Sequence, residues 1–264
     1  MDRSDYKILE ECIIMSKKAK VILFDIENSP ITSYTWAMFD TNVIDIKKDW
    51  ELLSFSYKEL GQKKATCITR LDFVDPTDKS LTKALWDVLN GADILIAHNA
   101  NEFDVKKANA KFLEWKLGPV SPSHVIDTLK IARRYFKLSS NKLDELGKIL
   151  KVGRKVKHEG FSLWLKCMAS DEKAFKKMAR YNNEDVQLLE RVYLKLRPWM
   201  QAHPNLGQIE QEFSSCPKCK STKLVKRGFG YTKTTTYQRY FCTSCKGWCK
   251  GATIKGLKPE FTGV

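Results

Sequence analysis

The chain has 264 residues, 43% of them hydrophobic, and its 46 Lys and Arg against 31 Asp and Glu leave a formal charge of +15. No run approaches the 18 apolar residues that a membrane helix needs, which excludes an α-helical membrane protein. The positive excess points instead to a polyanionic partner, and residues 213–264, with 11 Lys and Arg against the single acid Glu260, carry +10 of it.

The first 20 residues mix acids with bases and lack a signal-peptide pattern, so an intracellular location, cytoplasmic or nucleoid-associated, is expected. Residues 3–15 could form a short helix with Tyr6, Leu9 and Ile13 on one side. The apolar run Val21-Ile22-Leu23-Phe24 then leads into Asp25-Ile26-Glu27 and reads as a buried strand. Side chains alternate across a strand, so Asp25 and Glu27 point the same way at its end. Two like charges there repel and are costly to desolvate; a divalent cation would resolve both problems, as would a strand that simply ends in solvent. Asn28-Ser29-Pro30 breaks the strand. Tyr34, Trp36 and Met38 alternate as in a half-buried strand, Leu53, Phe55 and Tyr57 repeat the pattern, and 65–73 supplies a third candidate. These are expected to be neighbours in one sheet, antiparallel where the links are short.

Leu81, Leu85, Val88 and Leu89 have helical spacing, with Asp78 or Ser80 as cap and Gly91 as the stop. Asp93–Ala97 is a strand reached through that helix, so it should lie parallel to a neighbour. His98-Asn99 and Phe103-Asp104 follow, and Asp104 sits where a new helix begins; a carboxylate there gains from free amides whatever else it does. Val125–Leu129 is another strand end, with Asp127 and Thr128 as helix cap. Ser140-Asn141-Lys142-Leu143 opens a helix with Leu143, Leu146 and Leu150 buried. Residues 151–159 form a basic loop, either solvated or phosphate-contacting. A long helix over 170–196 places Met178, Tyr181, Asp185, Leu188 and Val192 on one face, with Tyr181 and Asp185 stacked four apart. An acid in such a stripe needs a partner. Together these elements predict an α/β fold with a mixed sheet and flanking helices.

The tail is organised by Cys216-x-x-Cys219 and Cys242-x-x-Cys245, two knuckles whose spacing suits one tetrahedral Zn²⁺. Some fifty residues bury little core, so zinc would carry much of the folding energy. Cys249 either packs or replaces Cys245, while Cys12, Cys67 and Cys167 are expected as small buried hydrophobes. Tyr231, Tyr237, Tyr240 and Phe241 interleave with Lys226, Arg227, Lys233 and Arg239, a mixture suited to nucleic acid; a protein dock or a folding cap is the alternative. The expected organisation is a body over 1–200, a polar linker over 201–212 and the tail module over 213–264.

In order and surroundings, Phe24-Asp25-Ile26-Glu27, His98-Asn99 with Phe103-Asp104, and Tyr181-Asn182-Asn183-Glu184-Asp185 resemble the three motifs of the Tyr-containing branch of the DEDD family of 3′-5′ exonucleases. Ser140-Asn141-Lys142-Leu143 is similar to a segment of the proofreading domains of family B polymerases, and the tail resembles a zinc ribbon. The resemblance covers roughly residues 19–197. It implies a ribonuclease-H-like fold and two Mg²⁺ or Mn²⁺ ions on Asp25, Glu27, Asp104 and Asp185, with Tyr181 orienting the attacking water. The implied activity removes 5′-mononucleotides from the 3′ end of single-stranded nucleic acid, DNA in preference to RNA, by a monomer. A polymerase or another replication or repair protein is the expected partner. The competing readings are a non-catalytic nucleic-acid binder with this fold, an RNA-directed exonuclease, and a structure-specific endonuclease.

Overall fold

The protein is described by a computed structural model over residues 18–157 and 159–254; the helix expected over 3–15, and Cys12, lie outside the described residues. Two compact units divide at Lys195/Leu196, the first spanning Lys20–Lys195. Its strands are β1 (Val21–Asn28), β2 (Thr32–Tyr34), β3 (Asp45–Lys48), β4 (Leu52–Glu59), β5 (Thr66–Thr69), β6 (Ile94–Ala97) and β7 (His124–Asp127). Its helices are α1 (Lys79–Asn90), α2 (Asp104–Glu114), α3 (Thr128–Tyr135), α4 (Leu143–Ile149), α5 (Phe161–Met168) and α6 (Glu172–Leu196).

Five strands form a mixed sheet in the order β5-β4-β1-β6-β7, with β1 at its centre. β1 runs antiparallel to β4 and parallel to β6, as the helical crossover through α1 requires. The two sides of β1 have different work. Ile22, Phe24 and Ile26 enter a core with Leu81, Leu85 and Leu89 of α1 and Ala108 and Phe112 of α2. The alternate positions put Asp25 and Glu27 on the other face, where α6 packs. Opposite them on β4 stand Ser56 and Ser54, small residues that leave room beside the acids. A bulge after Glu27 ends the regular ladder, and such irregularities commonly re-aim side chains at sheet ends.

Farther along the same face, Lys58 is buried and paired with Glu190 of α6, and its ammonium also donates to Gln187 Oε1 at 2.9 Å. Removing one partner of a buried pair strands the other charge, so Glu190→Ala should cost about 3–5 kcal/mol. Replacing both by Lys58→Met and Glu190→Leu should cost far less. Urea unfolding of the single and double variants checks this; equal losses would mean the pair is not energetically coupled.

Two expectations are corrected. Tyr34, Trp36 and Met38 do not form a strand of the main sheet. β2 and β3 pair only with each other, and Trp36 and Met38 at the tip are 88% and 90% exposed. The excursion is closed at its base, where Ser29 N donates to Glu51 O and Glu51 N donates to Ser29 Oγ, so the chain rejoins the sheet only at β4. Asp78 does precede α1, but its carboxylate makes no cap bond. It accepts instead from Leu52 N and Trp115 Nε1 and pairs with buried Lys111. Residues 201–212, expected as a linker, contain α7 (Leu206–Ile209), buried Leu206, and buried Glu210, which accepts from Ala19 N and pairs with Lys220.

The second unit contains a three-stranded antiparallel sheet, β10-β9-β8, from β8 (Leu224–Tyr231), β9 (Thr236–Cys242) and β10 (Trp248–Thr253). Among the described residues, one buried cluster in it consists of Cys216, Cys242, Cys245 and Cys249, with Leu224 and Tyr240 packed against it. Among the described residues no helix is long and apolar enough to cross a membrane.

Candidate active site and metal-binding clusters

The end of β1 and the middle of α6 bring three acids together. Asp25, Glu27 and Asp185 each offer a carboxylate oxygen, all within 4.8 Å of one another. Asp104, the first residue of α2, lies beside them; it is buried, and its Oδ1 accepts from Ile26 N, between the two β1 acids, at 3.4 Å. Its oxygens are not in the three-acid cluster, so the structure gathers three of the expected four ligands and places the fourth as a neighbour.

The electrostatics follow from that crowding. Burial, then the charge of Asp185, pushes Asp25 up to about 7; burial, then Asp25, pushes Glu27 up to about 8. Asp104 is raised well above the ordinary range by burial first and by Asp25 next. Carboxylates so close need cationic compensation before all can ionise. An oxygen-only donor set of this kind fits a hard divalent ion such as Mg²⁺ or Mn²⁺.

One cation is supplied by the chain. Lys155 Nζ lies 2.7 Å from Asp185 Oδ2 and 3.2 Å from Tyr181 Oη. Burial works against its charge, but Asp185, Tyr181 and Asp25 outweigh it and raise its pKa above the usual lysine value. The loop holding Lys155 is pinned. A Cβ on Gly147 of α4 would lie 2.5 Å from Gly153 O, so helix and loop touch only because residue 147 is glycine. Gly153 itself has φ +126°, a conformation that glycine accommodates. Asp144 then accepts from Arg154 Nη2 and from Lys155 N, both at 2.8 Å. Part of the basic loop is therefore built into the site, an arrangement that the run of charges did not disclose.

Two more groups complete the surroundings. Asn182 is fully buried and donates through Nδ2 to Asp25 Oδ2 at 3.0 Å, fixing that carboxylate's orientation. Tyr181 is held by Trp164 of α5, edge to face at 6.3 Å between centroids. Burial, then Asp185, raises the phenol above its normal pKa, so it remains protonated. The sequence reading passed over both Asn182 and α5; the apolar spacing of Leu163 and Cys167 was the available signal for the helix. His98 takes no part in the cluster. Its Nδ1 lies 2.9 Å from Thr128 Oγ1, and burial first lowers its pKa to about 4, so it stays neutral. Asp127 caps α3 as expected, accepting from Leu129 N and Lys130 N.

Two clefts take Tyr181 or Lys155 into their walls. One, of about 410 Å³, is lined by Lys157, Lys177, Arg180, Tyr181 and the acid Glu159 among others. The second, of about 620 Å³, includes His98, Arg133, Lys142, Lys155 and the acid Asp144. Bases outnumber acids in both, which suits contact with phosphates.

In the second unit, Cys216, Cys219, Cys242 and Cys245 form the other possible metal cluster, again within 4.8 Å. The Cys216–Cys245 and Cys219–Cys242 sulfurs are 3.8 and 3.6 Å apart. Tetrahedral zinc with bonds near 2.3 Å requires an edge of about 3.8 Å, so the donor set fits. Cys249 Sγ is 3.7 Å from Cys216 Sγ, which makes it a fifth thiol beside four positions.

Comparison with known proteins places this geometry. The RNase_H_2 family model of the RNase_H superfamily matches residues 22–197. Among solved structures, the family B DNA polymerase from the hyperthermophilic archaeon Pyrobaculum calidifontis is similar over 83% of this chain, with 11% identity and a TM-score of 0.50. The chain spans 32% of that polymerase. A search of curated proteins finds no match.

Proposed function

This chain belongs to the RNase H superfamily, and from that premise we propose that it is a metal-dependent 3′-5′ exonuclease acting on single-stranded nucleic acid, DNA in preference to RNA. The observation that carries the reading is the convergence of Asp25, Glu27 and Asp185 within 4.8 Å at a strand end, with Asp104 bonded to Ile26 N beside them and Lys155 reaching both Asp185 and Tyr181. In this reading Asp25, Glu27, Asp104 and Asp185 hold two Mg²⁺ or Mn²⁺ ions. When bound, such ions lower the pKa of water and stabilise charge on the phosphate and the departing 3′-oxygen.

The chain's own residues have separable tasks. Asn182 holds Asp25 in one orientation, so that the ligand set is preorganised. Lys155, freed from Asp185 once the acids are neutralised, offers its ammonium to the scissile phosphate. Tyr181 stays protonated and orients the attacking water by hydrogen bond, without acting as a base.

The tail is proposed as a zinc ribbon, with Cys216, Cys219, Cys242 and Cys245 as ligands, that raises affinity for the strand. A polymerase or another replication or repair protein is the partner this activity suggests. Strand polarity tests the proposal. With Mg²⁺, a 3′-labelled single strand should release its label at once as a 5′-mononucleotide, while the 5′-labelled strand shortens stepwise. Release of label first from the 5′ end would overturn it.

A further inference from the structure

The second unit holds a cleft of about 640 Å³ whose wall includes Trp199, Tyr237 and Trp248 together with Lys218, Arg239 and Lys250. It is produced by the register of the sheet. Trp248 faces Phe241 and Lys250 faces Arg239 across β10 and β9, so these side chains share one side. Cys249 and Tyr240, paired between them, point to the opposite side, where the thiols gather. One face of the sheet is thus given to the metal cluster and the other to rings and cations. Trp199, from the turn that follows α6, adds its ring to the cleft; it is 59% exposed, and Trp248 is 53% exposed.

The cations are arranged against the rings. The Arg239 guanidinium lies 5.6 Å from the Trp248 ring centroid, and the Lys250 ammonium lies 4.6 Å from that of Tyr237. Lys218 is buried and donates to Pro198 O at 2.9 Å. Among the described residues, no carboxylate lines the cleft. Exposed indoles with basic groups in the same cleft suit a ligand that alternates flat π-faces with negative charge. Unpaired nucleotides have that chemistry. A duplex does not, because its base faces are already stacked, and an acidic peptide would satisfy the cations but not the rings.

We propose that this cleft is a base-stacking site for single-stranded nucleic acid, in which Trp248 and Trp199 receive bases and Arg239 and Lys250 meet the adjacent phosphates. This deepens the reading above and rests on it for the class of substrate. It keeps Tyr237 and Arg239 from the segment singled out in the sequence and adds two tryptophans that lie outside the stretch between the cysteine knuckles, while Tyr240 faces the thiols.

The test uses the full chain carrying Asp25→Asn, so that the strand survives, and follows anisotropy of a labelled 20-mer of thymidine against a 20-mer of abasic sites. The parent should bind the thymidine strand at least about tenfold tighter, the scale of one stacked base. Adding Trp248→Ala should weaken thymidine binding about tenfold and erase the preference, whereas Trp248→Phe should restore most of it. Arg239→Ala should lower the salt slope by about one for both strands. An unchanged circular dichroism spectrum identifies variants that retain the fold, and Trp199→Ala provides an independent second ring. Equal affinity for both strands in the parent, or unchanged thymidine binding in both tryptophan variants, would overturn the cleft while leaving the nuclease reading in place. Failure of the parent to bind either strand would overturn both.

Discussion

Asp25→Asn and Asp185→Asn should each lower cleavage by at least about a thousandfold, because in the proposed mechanism each removes an anionic ligand of ions that would stabilise the developing charge. Binding of the strand should persist, since the basic clefts and the tail are untouched. Folding should persist as well, and the sign can be worked out. In the absence of a cation, the folded chain holds the Asp25 proton until about pH 7, whereas an ordinary aspartate loses it near 3.8. The folded state therefore binds more protons than the unfolded state across that window, and stability falls as pH rises from about 4 to about 7. Asparagine has no charge to desolvate. Asp25→Asn should be at least as stable as the parent at neutral pH without added Mg²⁺ or Mn²⁺, with a flatter stability profile. A thermal scan in buffer free of both ions at pH 5 and pH 8 checks this. An inactive variant that is also unfolded would point to a structural role instead. Tyr181→Phe, which keeps the ring against Trp164 and loses only the hydroxyl, should slow cleavage by about tenfold. Lys155→Ala should fall between these classes.

The second large effect is expected in the tail. Freshly purified protein should contain one zinc per chain, and Cys216→Ser with Cys219→Ser should release it. The sheet of the second unit packs on a cluster of thiols, so loss of zinc should unfold that sheet; structural zinc is worth about 10–16 kcal/mol in zinc-finger peptides. Limited proteolysis should then cut within 213–254 and leave the Lys20–Lys195 unit intact. Strand affinity should drop and its dependence on salt should flatten, while cleavage at saturating strand persists. Metal analysis with proteolytic mapping reads both effects, and protein without zinc would contradict the ribbon.

Much of the site could be read from local periodicity. Asp25 and Glu27 share a face because strands alternate, and Tyr181 and Asp185 share one because helices repeat near four. Parallel pairing of β6 followed from the crossover through α1. What escaped depended on long-range contacts. Lys155 reaches Asp185 only because Gly147 lets Gly153 approach and Asp144 binds the loop. Nothing within 151–159 encodes that approach. Trp36 and Met38 alternate like strand residues, yet the contacts between Ser29 and Glu51 close their hairpin off from the sheet. The segment 201–212 looked polar enough for a linker, but Glu210 and Leu206 are buried by contacts remote in sequence. Trp199 and Trp248 lie about fifty residues apart, and only the folded tail sets them beside one cleft.

The central claim is that the carboxylate cluster removes nucleotides from a free 3′ end. Linear single-stranded DNA and a closed single-stranded circle of the same sequence, incubated with the protein and Mg²⁺, test it most directly. Linear strands should be degraded to 5′-mononucleotides while circles survive, and excess EDTA should stop the reaction until Mg²⁺ is restored. Nicked circles, or undiminished degradation in EDTA, would contradict the account.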